Sequence, residues 1–144
     1  MLGERLRAWT AGWVLALGTA LGRTGLPPNA FTWIGFAAVL ASSVVIAFGQ
    51  LQAGAVMLTA SLLMDTFDGA VARATGKGSR FGAFLDSTLD RWAEVVIFFG
   101  QLVALTNTGR SADVWLVYWA ITGSLLVSYT RARAQGIGIE CKEG

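Results

Sequence analysis

The sequence has no histidine and a single cysteine, Cys141. These absences exclude a Cys- or His-ligated zinc site, a disulfide framework within one chain and a Ser-His nucleophile and base, leaving carboxylates as the candidate general bases. Charge is scarce as well. Asp, Glu, Lys and Arg make up 14% of the residues, against about 25% in an ordinary soluble domain. The formal net charge of +2 is too small to argue for nucleic acid as a partner. What is abundant is apolar surface: 54% of the residues are hydrophobic, and residues 24–64 contain no Asp, Glu, Lys or Arg. That stretch, with Gln50 and Gln52 near its middle, reads as two membrane spans around a tight turn.

The remaining organisation follows from periodicity and breakers. Leu2, Leu6, Trp9, Trp13, Leu17 and Leu21 recur at three- and four-residue steps, while Glu4, Arg5, Arg7 and Thr10 fall mostly elsewhere around the helix. The pattern describes an amphipathic helix lying in the membrane interface. A cleaved signal peptide is the competing reading, because Arg5 and Arg7 precede an apolar stretch, but two Trp at helical spacing suit the interface better. Pro27-Pro28 breaks the chain, and Asn29 is expected to cap a first span from about Ala30 to Phe48. Spans from about Ala53 to Ala74, Gly82 to Leu105 and Val114 to Arg133 complete an all-α, polytopic bundle, with Gly76-Lys77-Gly78-Ser79 as a loop. Arg5, Arg7, Arg23, Lys77, Arg80 and Lys142 then share one side against Arg110 on the other, which places the amino terminus in the cytoplasm. Small residues within the spans are assigned to helix packing, and the Trp residues to interface anchoring. Cys141 is given no role.

Four aspartates stand out. Asp65 and Asp68 are three residues apart and Asp86 and Asp90 four apart, so each pair shares a helix face, separated by about 4.5 Å and about 6 Å along the axis. The two helices run antiparallel about Lys77, which brings the pairs to similar depth. An aspartate at a helix centre costs roughly 2.5–3.5 kcal/mol on insertion scales, so four together need a cationic partner. Arg73 and Arg91 offer partial neutralisation as an ion-pair network, yet two bases do not balance four aspartates and Glu94. Oxygen-only ligands fit Mg²⁺ or Mn²⁺ better. Glu94, four residues beyond Asp90, either supports the cavity or is a packed, partner-bonded carboxylate.

The run Asp65-Thr-Phe-Asp68-Gly69-Ala-Val-Ala72-Arg73, followed after eight residues by Gly82-Ala-Phe-Leu-Asp86-Ser-Thr-Leu-Asp90, resembles the CDP-alcohol phosphotransferase signature at every defined position. The likeness extends through Pro28-Asn29-Ala30-Phe31-Thr32 and Ser128-Tyr129-Thr130-Arg131-Ala132-Arg133-Ala134, so it covers nearly the whole chain as one domain, 1–144. Members of that family typically have six spans and an amphipathic amino-terminal helix. Only four spans are read here, so the resemblance implies that the last two are missing.

The resemblance also implies roles. Asp65, Asp68, Asp86 and Asp90 would hold two divalent ions on the diphosphate of a CDP-linked lipid such as CDP-diacylglycerol, with Asp90 also taking the proton of the acceptor alcohol. Gly69 would let the nucleotide approach the helix, or else serve helix packing. Arg73, Ser79, Pro28, Asn29 and Thr32 would contact the CDP portion, although turn formation and capping also account for the last three. Arg131 and Arg133 are read as contacts for a phosphorylated acceptor, inositol phosphate or glycerol phosphate, with positive-inside anchoring as the alternative. The expected reaction is phosphatidyl transfer with release of CMP, in a bacterial inner membrane with the active site cytoplasmic, and the likeness leaves room for a homodimer. Two rivals share the carboxylates. A membrane prenyltransferase would lack the Gly69, Ala72-Arg73 and Gly82 spacing, and a divalent-cation transporter would need an exit on the far side.

Overall fold

A computed structural model describes residues 27–62 and 79–139 of the chain. The helices among them are α1, Pro28–Ala47; α2, Leu51–Leu62; α3, Arg80–Asn107; and α4, Ser111–Gly136. No strand occurs among the described residues. The interfacial helix expected over 2–21, the second half of the second span and loop residues Gly76, Lys77 and Gly78 lie outside them.

The start of α1 corrects one expectation. Pro27 is the N-cap, in an extended conformation and without a side-chain cap bond, and Pro28 occupies the first turn. A proline there has its φ preset for the helix and lacks the N–H that would otherwise need a partner. Asn29 is therefore inside the first turn and does not cap it. At the far end Gly49 takes φ 80°, a left-handed conformation that glycine adopts without steric cost, and the chain reverses into α2. The pair is close: a Cβ at Gly54 on α2 would collide with the Ile46 side chain and come within 3.2 Å of the Ser42 carbonyl oxygen on α1.

Ser79 opens α3, its Oγ accepting from the Gly82 N–H at 2.9 Å. At about 1.5 Å per residue α3 is roughly 42 Å long. It ends in a turn at Gly109, φ 71°, and Arg110 then pairs with Asp113 in the first turn of α4, where a carboxylate also complements the helix dipole.

The packing inverts the water-soluble pattern. Among the described residues the buried hydrophobics are few (Phe31, Val39, Ile46, Leu89 and Ala104), while Thr32, Ser42, Ser43 and Ser61 are also buried. The Ser42 and Ser61 hydroxyls donate to carbonyl oxygens one turn back on their own helices, at 2.8 and 2.9 Å. Ser43 instead donates across the α1–α3 seam to the Val96 carbonyl oxygen at 2.6 Å, and Gly100 of α3 packs against Ser43 so closely that an added Cβ would lie 2.5 Å from its carbonyl oxygen. Trp33, Phe48, Val56, Phe99, Trp115, Leu116 and Trp119 face outward. Small residues inside and large apolar ones outside is the arrangement of helices packed in hydrocarbon.

One described helix is both long and apolar enough to cross a membrane, Asn29–Ala47 with mean hydropathy 2.0. The sequence leads one to expect spans over α3 and α4 too. Both have the length, but α3 carries Arg80, Asp86, Asp90, Arg91 and Glu94 between its start and its midpoint turn, and α4 carries Asp113, Arg131 and Arg133 and is interrupted by Trp, Tyr, Ser and Thr. Asp90 lines the cavity between α3 and the first two helices, and Arg91, Ser124 and Ser128 line the groove between α3 and α4.

Candidate functional site

Asp86 and Asp90 fall in the second and third turns of α3, half-buried and on one face because four residues turn the helix by about 400°. Asp90 lines a small cavity of about 40 Å³ where α3 meets the first two helices, together with Thr32 and Phe36 of α1, Ser61 and Leu62 of α2, and Leu89. The fold thus brings Asp90 and Thr32, widely separated in sequence, to one space. The described end of α2 reaches the same space, while Asp65, Asp68, Gly69 and Arg73, next along the chain, lie outside the described residues.

A second corner adjoins the start of α3. An added Cβ at Gly82 would stand 3.2 Å from both Asn29 Oδ1 and Ser79 Oγ. Asn29, Ser79 and Gly82 therefore meet at one point. Ser79, expected as a loop residue and nucleotide contact, also caps α3, and Gly82 leaves Asn29 room to approach.

The opposite side of α3 forms an open groove of about 880 Å³ with α4. Arg91 and Arg131 are its charged lining residues, accompanied by Ser87, Thr88, Ser124 and Ser128. Ser124, Ser128, Arg131 and Gln135 succeed one another at helical spacing along one stripe of α4. Arg133, two residues beyond Arg131, is about 200° around the helix and does not line the groove. It is exposed elsewhere.

Behind the groove Glu94 joins the two helices. Its Oε1 accepts from Arg91 Nη1 at 2.6 Å, and its Oε2 accepts from Ser124 Oγ at 2.7 Å. This arrangement settles the choice left open for Glu94: it is partner-bonded. Arg91, expected as a counter-charge for the aspartates, pairs with Glu94. The three-residue spacing of Arg91 and Glu94 is visible in the sequence, but the tie to Ser124 is not.

The donor chemistry of the described carboxylates, oxygen alone, fits a hard cation. Among the described residues no three of His, Cys, Asp and Glu come together as a metal-holding group. Asp86 and Asp90 are the described half of the expected four.

The family model described as CDP-alcohol phosphatidyltransferase matches residues 26–142. The chain is 34% identical over 145 residues to phosphatidylinositol phosphate synthase of Cutibacterium acnes, covering 96% of this chain and 70% of that protein. It is 41% identical over 122 residues to archaetidylinositol phosphate synthase of Methanothermobacter thermautotrophicus, covering 85% of this chain and 60% of that protein. Among solved structures it is similar to Mycobacterium tuberculosis phosphatidylinositol phosphate synthase with CDP-DAG bound, at TM-score 0.84 and 34% identity, covering 91% of this chain and 67% of the other. The structure of the same enzyme with manganese and citrate also gives TM-score 0.84 at 34% identity, with 91% and 64% covered. The chain spans about 60% of the length of the archaeal relatives it matches.

Proposed function

The chain belongs to the CDP-alcohol phosphatidyltransferase family, and on that premise we propose that it transfers a phosphatidyl-type group from a CDP-linked lipid to a phosphorylated alcohol, releasing CMP. The observation that carries this reading is the meeting of Asp90 with Thr32 and the end of α2 around one cavity, beside the corner where Asn29, Ser79 and Gly82 converge. The relatives named as inositol phosphate lipid synthases support inositol phosphate as the acceptor, with glycerol phosphate as the nearest alternative.

In the proposed reaction the acceptor oxygen bonds to the phosphorus that carries the lipid. The bond from that phosphorus to the bridging oxygen breaks, CMP leaves with the bridging oxygen, and the hydroxyl proton passes to Asp90. Two Mg²⁺ or Mn²⁺ ions held by Asp65, Asp68, Asp86 and Asp90 would neutralise charge on the diphosphate and the leaving group. The manganese in the solved relative's structure supports a divalent ion. Asn29, Thr32, Gly69, Arg73 and Ser79, with Pro28 setting the start of α1, are assigned to the CDP portion. Arg131, on the α3–α4 groove, is assigned to the acceptor phosphate, and Arg133 is retained as its neighbour on the same helix.

The same reading puts the chain in a membrane, as supported by the outward Trp, Phe and Leu side chains and the inward hydroxyls. Four spans, an interfacial amino-terminal helix, a cytoplasmic active site in a bacterial inner membrane, a single domain over 1–144 and homodimer assembly complete it. The test is CMP release by the full-length protein in lipid nanodiscs, supplied with CDP-diacylglycerol, Mg²⁺ or Mn²⁺, and each of inositol, inositol phosphate, glycerol and glycerol phosphate. Release that depends on a phosphorylated acceptor is expected. No acceptor-dependent release with any of the four would overturn the reading.

A further inference from the structure

At the end of the bundle away from Asp90 lies a cavity that the proposed reaction does not use. Its volume is about 520 Å³, and it opens where α3 passes the turn between α1 and α2. Ile46, Ala55, Leu58 and Leu105 give it apolar walls, while Gln101 of α3 and Arg110 at the turn into α4 are polar. Thr108 also borders it, but its hydroxyl is committed to the Ala104 and Leu105 carbonyl oxygens.

The polar pair stands at defined depths. The 20 residues of α1 rise about 30 Å, the thickness of a bilayer's hydrocarbon core. Ser43 packs against Gly100, so Gln101 lies level with the last turn of α1, at the edge of that core. The end of α3 at Asn107 is about 9 Å further along the axis, so Arg110 after it stands among the headgroups. On α2, Gly54 meets Ile46 and Ser42, which puts Leu58, one turn on, deeper than Gln101. The Gln101 amide makes no hydrogen bond among the described residues, a costly state for a polar group at that depth. Arg110 gives Asp113 one nitrogen, Nη2, and its side chain is 67% exposed, which leaves the rest of its five-donor fork for a ligand.

We propose that this cavity binds one diacyl phospholipid of the leaflet opposite the active site, with its phosphate on Arg110, an ester carbonyl oxygen accepting from the Gln101 amide, and an acyl chain along Ala55 and Leu58. The assignment rests on the reading that the chain spans a membrane, not on the reaction. From surface to core the cavity offers a cation, a neutral donor and hydrocarbon, which is the order of groups in that molecule. An apolar helix in the same place would cover the walls but leave the amide unpaired. The site is separate from the donor's diphosphate, because Gln101 is about 16 Å from Asp90 along α3. A lipid held there touches the ends of three helices, so its binding stabilises the fold.

The test is native mass spectrometry of the full-length protein, freed of lipid in detergent and titrated with palmitoyl-oleoyl phosphatidylglycerol or with palmitoyl-oleoyl glycerol, which keeps the chains and esters but has no phosphate. One tightly held phospholipid is expected, with the phosphate-free lipid about tenfold weaker. Arg110→Gln should weaken phospholipid binding about tenfold, the scale of a charged hydrogen bond, and Gln101→Leu about fivefold, the scale of a neutral one. Asp113→Asn frees Arg110 from its partner and should keep or strengthen binding, which separates loss of the phosphate contact from a frayed start of α4. Ala55→Trp fills the cavity from an exposed position and should abolish the site. Val56→Trp, beside it on the outer surface, should not.

CDP-lipid KM should stay within about twofold in all these variants, and CDP-diacylglycerol should bind in addition to the phospholipid. Displacement of one by the other at matching concentration would give the cavity to the donor's chains and overturn the proposal. Equal binding of the phosphate-free lipid, unchanged affinity in both Ala55→Trp and Arg110→Gln, or a wild-type protein that holds no phospholipid would do the same. So would a dimer that is lost in Ala55→Trp while lipid binding persists, since a second copy would then fill the cavity. Phospholipid binding with the expected pattern, in a protein that releases no CMP to any acceptor, would uphold the site and remove only the transferase reading.

Discussion

Gly82 faces Asn29 across the α1–α3 seam: a Cβ added at Gly82 would stand 3.2 Å from Asn29 Oδ1. A methyl group there would press on the amide and on the Ser79 hydroxyl, also at 3.2 Å, and each would have to give by a few tenths of an ångström. Gly82→Ala should therefore raise CDP-lipid KM severalfold while leaving acceptor KM near its original value, since overpacking of this kind costs about 1 kcal/mol or more. Gly82→Val should do so more strongly. Initial-rate kinetics with each substrate varied in turn provides the check, and an effect on acceptor KM alone would remove the corner from the nucleotide side.

The seam is tighter still at Gly100. A Cβ there meets both the carbonyl oxygen and the hydroxyl of Ser43 at 2.5 Å, and the backbone oxygen cannot rotate away. Gly100→Ala is expected to destabilise the bundle by about 1–3 kcal/mol, measured as a lower thermal midpoint in detergent. Gly123, with open space around its Cβ position, is the control, and Gly123→Ala should leave the midpoint nearly unchanged.

The aspartates on α3 divide by role. Asp86→Asn should weaken Mn²⁺ binding in calorimetry, as should Asp65→Asn, because each removes one charged oxygen donor from a shared site. Asp90→Asn retains an oxygen but cannot take a proton. It is expected to keep much of the CDP-lipid affinity and lose roughly 10²-fold or more in transfer, the lower range for general-base contributions. Near-normal acceptor-dependent CMP release from Asp90→Asn would relieve Asp90 of the base role.

Arg131 and Arg133 separate by their position on α4. Arg131 lines the groove and Arg133 does not, so Arg131→Ala should raise acceptor KM by about tenfold, the value of a charged contact to phosphate. Arg133→Ala should have the smaller effect. The reverse order in parallel kinetic assays would place the acceptor on the other face of α4.

The sequence made some of this legible because the controlling forces are local. Paired prolines, the Ser79 cap and the glycine turns fix where helices start and stop, and the expected boundaries of the third and fourth spans lie within a few residues of α3 and α4. The shared face of Asp86 and Asp90 follows from helical geometry alone. The N-cap lies two positions before Asn29, at Pro27, because a proline in the first turn starts the helix without a side-chain cap. Small residues were readable as packing in general, but which ones touch depends on how each helix is rotated against its neighbour. Ser43 with Gly100, and Glu94 with Ser124, are such pairs. The family resemblance, rather than periodicity, brought Thr32 into the same functional set as Asp90.

Adjacent residues on α3 serve different neighbours: Asp90 opens on the cavity shared with the first two helices, and Arg91 on the groove shared with α4. On the proposed reading the wall that Asp90 faces handles the metal and the proton of the acceptor, while the other side of the helix is fastened to α4 through Glu94 and Ser124. A lineage can then rework the exposed residues of α4 while that fastening holds the reacting face of α3 in place.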